Sequence, residues 1–145
     1  MTLKEEVLSE IDGETIVYCQ SCGVCTGGCP SARVSNYNPR RIIHKTNLEM
    51  DLGEEIWLCA TCYTCQERCP REIRITDFIN LLRRIHIEKN GIPEFISPLV
   101  ENLKNAGYTA ALGEIENKRR ERMGLPPMKP VADIKIILEK TEGEK

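Results

Sequence analysis

The chain has 145 residues, a net charge of −2 and 29% charged residues. That length suits one domain with a modest core and leaves no room for two large ones, and the charge balance argues against a nucleic-acid surface. No apolar run approaches the about 20 residues a membrane span requires. The acidic, mixed start Met1-Thr2-Leu3-Lys4-Glu5-Glu6 does not read as a signal peptide, so no membrane association and a cytoplasmic location are expected.

In chain order, residues 1–18 hold a short amphipathic stretch with Val7, Leu8 and Ile11, after which Ile16-Val17-Tyr18 runs apolar into a cysteine. Cys19, Cys22, Cys25 and Cys29, followed by Pro30, make a Cys-x2-Cys-x2-Cys-x3-Cys-Pro pattern. Asn38-Pro39 ahead of Arg40, Arg41, Ile42 and Ile43 predicts an N-cap, a proline at the first helical position, and a helix. Ile56-Trp57-Leu58 then leads into Cys59, Cys62, Cys65, Cys69 and Pro70, the same pattern forty positions on. Thr76 or Asp77 is expected to cap a helix with Phe78, Leu81, Leu82 and Ile85 on one face, ended by Gly91 and Pro93. Ile96, Leu99, Val100, Leu103 and Ala106 fall at helical spacing before Gly107. Glu114 to Arg122 reads as a highly charged helix. Leu125-Pro126-Pro127-Met128-Lys129-Pro130 reads as an extended linker, since each proline disfavours helix in its predecessor. A last helix with Val131, Ile134, Ile137 and Leu138 precedes a polar tail. No alternating strand pattern appears.

The eight cysteines all belong to the two patterns. Thiolate is a soft ligand, and a cubane iron–sulfur cluster needs one on each of four iron corners. Two repeats therefore supply the complement for two [4Fe–4S] clusters with none left over. Steps of three fit a tight loop wrapped over one face of a cubane, with backbone N–H groups turned toward the sulfides. In bacterial-type two-cluster motifs the fourth cysteine ligates the other cluster. Carried onto this chain, Cys19, Cys22, Cys25 and Cys69 hold cluster 1, and Cys59, Cys62, Cys65 and Cys29 hold cluster 2. Spacing alone leaves open the alternative in which each repeat closes on itself. Pro30 and Pro70 suit a chain that leaves the cluster sharply to start a new segment. Gly23, Gly27 and Gly28 correspond to Tyr63, Glu67 and Arg68, so backbone approach to the two clusters is expected to differ.

Zinc competes poorly, because its structural sites take two Cys-x2-4-Cys pairs and leave no place for a third cysteine three residues on. Disulfides are allowed by parity, but a cytosolic thiol-rich chain more often binds metal. Two phenylalanines, one tryptophan and four tyrosines are few for a core of this length, so the clusters are expected to replace part of it and to make the protein oxygen-sensitive. His44 and His86 are read as surface or packing residues and Trp57 as a shield for the neighbouring cluster. Lys118-Arg119-Arg120-Glu121-Arg122, Arg40-Arg41 and Arg83-Arg84 are read as solvated faces, any of which could dock an acidic partner. There is no Gly-x-Gly-x-x-Gly and no phosphate loop, no spare thiol and no substrate constellation, so no catalytic residue is assigned.

The run from Cys19-Gln20-Ser21-Cys22 through Cys29-Pro30, the segment Asn38-Pro39-Arg40-Arg41-Ile42-Ile43, and the run Ile56-Trp57-Leu58-Cys59 through Cys69-Pro70 together resemble the C subunit of heterodisulfide reductase from methanogenic archaea. The likeness covers about Tyr18 to Ile87 and, more loosely, the stretch around Leu125-Pro126-Pro127. It implies an all-α, helical ferredoxin-like domain over 1–92 and a helical, partner-docking extension over 93–145. It further implies a relay between a flavin- and cluster-bearing A subunit, fed by a hydrogenase or formate dehydrogenase, and a B subunit. The B subunit reduces the coenzyme M–coenzyme B heterodisulfide in methanogenesis on Cys-Cys-Gly motifs that this chain lacks. The spacing alone is shared with iron–sulfur subunits of glycolate- and glycerol-3-phosphate-oxidising enzymes, which remain the alternative.

Overall fold

This computed structural model describes residues 2–142; Met1 and the polar tail at 143–145 lie outside the described residues. Every regular element among the described residues is helical, as the absence of alternation predicts. The chain divides into two compact units, Met1–Lys89 and Asn90–Lys145.

The first unit holds α1 (Leu3–Leu8), α2 (Val24–Gly27), α3 (Pro30–Val34), α4 (Pro39–Asn47), α5 (Thr64–Glu67) and most of α6 (Ile75–Asn90), with 3-10 turns at Glu14–Tyr18 and Glu54–Leu58. Thr2 and Glu5 form a reciprocal capping box on α1, which buries Val7. Gly13 returns the chain so tightly that a Cβ there would lie 2.1 Å from the Val7 carbonyl oxygen, so only glycine allows the fold-back. That early return leaves Ile11 68% exposed, off the apolar face the sequence suggests. Asn38 caps α4 by accepting the Arg41 N–H at 3.0 Å, with Pro39 in the first turn, as expected. Ile42, Ile43, Ile56, Ile73, Phe78 and Ile79 close the core between the two repeats. Each such side chain contributes about 1.5–3 kcal/mol by leaving water.

Two matched clamps hold the approaches to the cysteines. Asn47, at the end of α4, donates from Nδ2 to the Ile16 carbonyl at 3.1 Å, and Arg83 on α6 donates from Nε to the Ile56 carbonyl at 3.1 Å. Ile16 and Ile56 occupy equivalent repeat positions, so each 3-10 turn is pinned from a longer helix C-terminal to its own motif.

The start of α6 corrects the sequence expectation. Neither Thr76 nor Asp77 is its cap; both lie inside the first turn. The two N–H groups they leave over donate instead to Oε1 of Gln66, at 3.1 and 3.4 Å. A side chain from the second cysteine repeat thus does what a local N-cap usually does. The Asp77 carboxylate accepts from Gln66 Nε2 at 2.9 Å, Arg74 Nε at 3.0 Å and the Tyr63 hydroxyl at 3.2 Å. Partial burial pushes its pKa up, but the Gln66 and Tyr63 hydrogen bonds and the Arg74 charge together leave it lowered.

In the second unit, α7 (Ser97–Ala106) ends at Gly107, whose φ of 78° only glycine takes without strain. The Val131 N–H donates to the Ala106 carbonyl at 3.0 Å, and α9 (Ala132–Glu142) lies against α7. The proline-rich stretch is extended, as expected, but it is not free. Asn117 on α8 (Glu114–Arg122) brackets Met128 with hydrogen bonds of 3.1 and 2.8 Å, and Arg120 Nε donates to the Pro126 carbonyl at 2.9 Å. Neither α7 nor α8 buries a residue fully, and Leu99, Ile115, Met123, Ile136 and Ile137 are exposed.

Because the folded Asp77 carboxyl sits below its unfolded value, its stabilisation is complete above about pH 4 and is lost as pH falls through the folded pKa. Asp77→Asn is expected to cost about 1 kcal/mol near neutrality, a figure discounted for the exposure of Arg74. Anaerobic urea unfolding should give the same deficit from about pH 8 to about pH 6, and a smaller one only below about pH 4. A deficit that widened on acidification would contradict this linkage.

Candidate metal centres

The two cysteine repeats follow one backbone path. Each is entered from a 3-10 turn anchored by a buried isoleucine, Ile16 or Ile56. The loop then passes twice through left-handed conformation, at Ser21 (φ 54°) and Gly23 (φ 85°) in the first copy, and at Thr61 (φ 53°) and Tyr63 (φ 61°) in the second. A left-handed L-residue costs about 1–2 kcal/mol, and a β-branched one such as Thr61 is a clear outlier. Strain repeated at matched positions marks a loop shaped around something it wraps. Each loop ends in a one-turn helix carrying the third cysteine, Cys25 on α2 or Cys65 on α5, and these two helices pack on each other. The exits differ. Pro30 starts α3, whereas Pro70 enters a turn closed by the Glu72 N–H on the Cys69 carbonyl at 3.1 Å.

Eight thiols rim two cavities, and neither cavity draws its four from one repeat. Cys19, Cys22, Cys25 and Cys69 line the first; Cys59, Cys62, Cys65 and Cys29 line the second. Cys25, Cys29 and Cys65 are buried, Cys22 and Cys62 exposed, and Cys19, Cys59 and Cys69 between. The walls are unlike. Ile43, Ile73, Ile75, Arg40 and Arg71 complete the first, and Ser31, Tyr37, Tyr63 and Thr76 the second.

Burial raises the pKa of the Cys25 and Cys65 thiols, against hydrogen bonds from Thr26 and Thr76 respectively. The second effect is visible as a Thr76 Oγ1 to Cys65 Sγ distance of 3.4 Å. Neighbouring sulfurs add to the rise, Cys65 and Cys19 acting on Cys25, and Cys59 and Cys29 on Cys65. Cys62 moves the other way, lowered by its hydrogen bond with Thr64. The Thr61 N–H donates to Cys59 Sγ at 3.4 Å, so one gap residue does turn its amide toward sulfur. Four crowded thiols resist ionising together unless cationic charge is bound among them. Among the described residues no three His, Cys, Asp or Glu side chains converge on a point that one metal ion could occupy. The sulfurs surround voids instead, and four soft donors around each void are a fitting set for one [4Fe–4S] cluster apiece.

Other sequence readings meet mixed outcomes. His44 is exposed on α4 and His86 packs edge-on to Trp57, with ring centroids 5.8 Å apart. Trp57 does not line the second cavity as a shield; its ring packs against His86 and beneath the Arg83 guanidinium, 5.5 Å from the ring centroid. Arg83 is no solvated residue, since it also donates to the Trp57 carbonyl at 3.4 Å and the Cys59 carbonyl at 2.7 Å. Arg40 reaches the Ser21 carbonyl at 3.3 Å, Arg41 the Asn36 carbonyl at 2.8 Å, and Arg84 pairs with Glu10 at 3.1 Å. Gly28 does not clear space for a cluster; a Cβ there would meet Arg68 Nη1 at 3.2 Å and the Thr64 methyl at 3.7 Å. Tyr37, Gln66, the place of Thr76 beside Cys65 and the clamp role of Arg83 escape a reading of the sequence. Only the position of Tyr37 directly before the Asn38-Pro39 cap hints that it is fixed in place.

Residues 15–73 match the family described as a 4Fe-4S dicluster domain. The C subunit of the ferredoxin/F420H2-dependent CoB-CoM heterodisulfide reductase of Methanosarcina acetivorans is 42% identical over 134 residues, covering 87% of this chain and 81% of that protein. An iron-sulfur C subunit of the CoB–CoM heterodisulfide reductase of Methanocaldococcus jannaschii is 36% identical, over 87% of this chain and 69% of that protein. The C subunit of the H2:CoB-CoM heterodisulfide,ferredoxin reductase of Methanothermobacter thermautotrophicus is 32% identical, over 86% and 70% respectively. With two repeated thiol sets in a helical dicluster fold and relatives matched along most of its length, the chain belongs to the family of heterodisulfide reductase C subunits, as an iron–sulfur electron-transfer component of an oxidoreductase complex.

Proposed function

We propose that this chain relays electrons, in the cytoplasm, from a flavin- and cluster-bearing A subunit to a B subunit that reduces the coenzyme M–coenzyme B heterodisulfide. In this reading Cys19, Cys22, Cys25 and Cys69 hold one [4Fe–4S] cluster, and Cys59, Cys62, Cys65 and Cys29 hold the other. The observation that carries it is the composition of the two cavities, each rimmed by three thiols of one repeat and the fourth of the other. When bound, a [4Fe–4S] cluster takes up and gives back one electron at a time.

The protein's own contribution is to position and to insulate. The left-handed residues Ser21, Gly23, Thr61 and Tyr63 curl the loops, and the Asn47 and Arg83 clamps fix where they begin. Ile43, Ile73 and Ile75 keep water from the first cavity, while hydroxyl-bearing Tyr37 and Thr76 stand in the second. The donors printed in the relatives' names differ, ferredoxin or F420H2 in one and H2 in another. A component kept across different donors fits a position downstream of them, with a hydrogenase or formate dehydrogenase feeding the A subunit. Residues 93–145 serve in this reading as the docking extension. Their exposed Leu99, Ile115, Met123 and Ile137 support it.

Anaerobically purified protein is expected to contain about eight iron and eight acid-labile sulfide per chain. Cys29→Ala should disturb the spectrum of the cluster held by Cys59, Cys62 and Cys65 and leave the other intact. Loss of the cluster held by Cys19, Cys22 and Cys25 instead would show that each repeat closes on itself.

The relay itself is tested by turnover. Disulfide reduction needs two electrons delivered where the disulfide binds, and this chain is proposed to offer no such place. The isolated, reduced protein should show no heterodisulfide reduction, and adding the B subunit should oxidise it with formation of both thiols. Turnover by the chain alone, or no oxidation by its partner, would overturn the assignment.

A further inference from the structure

The second cavity contains a polar group that no described residue satisfies. Tyr37 lines it beside Cys29, Cys59 and Cys65, its residue is only 2% exposed, and its hydroxyl has no hydrogen-bond partner among the described residues. Leaving a buried O–H unpaired costs about 1–3 kcal/mol, a loss phenylalanine would avoid. The Tyr37 hydroxyl is a donor without a hydrogen-bond partner in the wall of a cavity rimmed by four thiols.

The first cavity has no counterpart. Forty positions after Tyr37 stands Asp77, which is occupied with Gln66, Arg74 and Tyr63. The apolar wall of the first cavity is Ile43, Ile73 and Ile75. The other hydroxyl of this kind, Thr76 Oγ1, lies 3.4 Å from Cys65 Sγ and belongs to the second cavity too. The first cavity carries hydroxyls too, Ser21 in its lining and Thr26 Oγ1 at 4.0 Å from Cys25 Sγ, but Ser21 is exposed and Thr26 donates to Asn38 Oδ1 at 2.9 Å, so of the two cavities it is the second that holds a buried tyrosine hydroxyl without a partner.

We propose that Tyr37 is a positioning residue whose O–H donates to sulfur of the cluster bound in the second cavity, either the Cys59 thiolate or an inorganic sulfide beside it, and thereby raises that cluster's reduction potential. This rests on the ligand sets proposed above. Adding an electron increases the negative charge on the sulfurs, so a hydrogen bond to sulfur stabilises the reduced form more than the oxidised one. One electron enters, the O–H bond stays intact and no proton is transferred. The two clusters then differ in potential for a reason local to the second, and that second cluster is where an electron rests longer.

The test is an anaerobic redox titration of the full holoprotein, followed by electron paramagnetic resonance, with Tyr37→Phe beside the parent chain. Cys62→Ser identifies which reduction step belongs to the second cavity. In Tyr37→Phe that step should move to lower potential and the other should not. One strongly coupled exchangeable proton, replaced in deuterium oxide, should vanish from the reduced second cluster. Full iron with both steps unmoved, or a shift in the first cluster only, would overturn the proposal. Placing 3-fluorotyrosine at position 37 keeps the ring and strengthens the donor, so it covers the case in which the phenylalanine variant does not fold. It should move the same step upward, and no shift or a fall would refute the hydrogen bond. A parent chain without iron and sulfide would sink the ligand assignment itself, an outcome distinct from an iron-loaded chain indifferent to Tyr37.

Discussion

Sulfur crowded into a helical core is difficult to charge. Cys25, Cys29 and Cys65 are buried, and each set of four thiols shares one cavity, so ionising them without a cation would bury several negative charges together. The raised pKa values of Cys25 and Cys65 express that resistance. Metal ligation needs thiolates, so loading supplies the missing positive charge and converts binding energy into folding energy. With only modest apolar area available in a unit of 89 residues, this coupling explains how so short a helical assembly holds strained loops in place. With the ligand sets proposed above, a repeat completed by the fourth cysteine of its twin would not order alone.

The rest of the first unit serves that arrangement. α2 and α5 meet between the cavities, and Gly28 there gives way to Arg68 and Thr64 of the other copy. α4 and α6 anchor the approaches through Asn47 and Arg83, and Gln66 in turn caps α6 from within the second repeat. Each helix that supports a loop is itself fixed by a residue near a loop. The repeat is therefore not two modules side by side but one interlocked body, in which a change at Gln66 reaches the backbone of Thr76, and one at Arg83 the Cys59 carbonyl, through a single hydrogen bond.

Where the chemistry is periodic, the sequence is readable. The helical character of every regular element among the described residues and the Asn38-Pro39 helix start both follow from local rules, and the structure agrees. What escapes depends on distance along the chain. No local signal at Thr76 tells that Gln66, ten residues earlier, takes over its cap. Arg83 follows the helix face of a solvated residue until the Ile56 and Cys59 carbonyls, more than twenty residues away, are brought to it. Trp57 departs from its expected place for a related reason, because adjacency to Cys59 in sequence does not fix which side of a 3-10 turn faces the cavity. Tyr37 has no counterpart in the repeat and lies in the irregular segment between α3 and α4, so the burial of its residue is what reveals its role.

A relay must do two opposing things, keep water from its centres and let other proteins approach them. The structure divides these tasks along each loop. The third cysteine of each repeat is buried on its one-turn helix, and the second, Cys22 or Cys62, is exposed. Apolar side chains next to cysteines in the chain are exposed as well, Tyr18 and Val24 beside Cys19 and Cys25, Leu58 and Tyr63 beside Cys59 and Cys62. A partner seated over such a rim would dry the opening and gain affinity from the same contact, because apolar area leaves water as the thiol is covered. Two thiol-rimmed cavities within one compact unit thus suit an electron-transfer protein. The buried Tyr37 hydroxyl in one cavity and the isoleucines of the other make the two unlike although each is rimmed by four thiols.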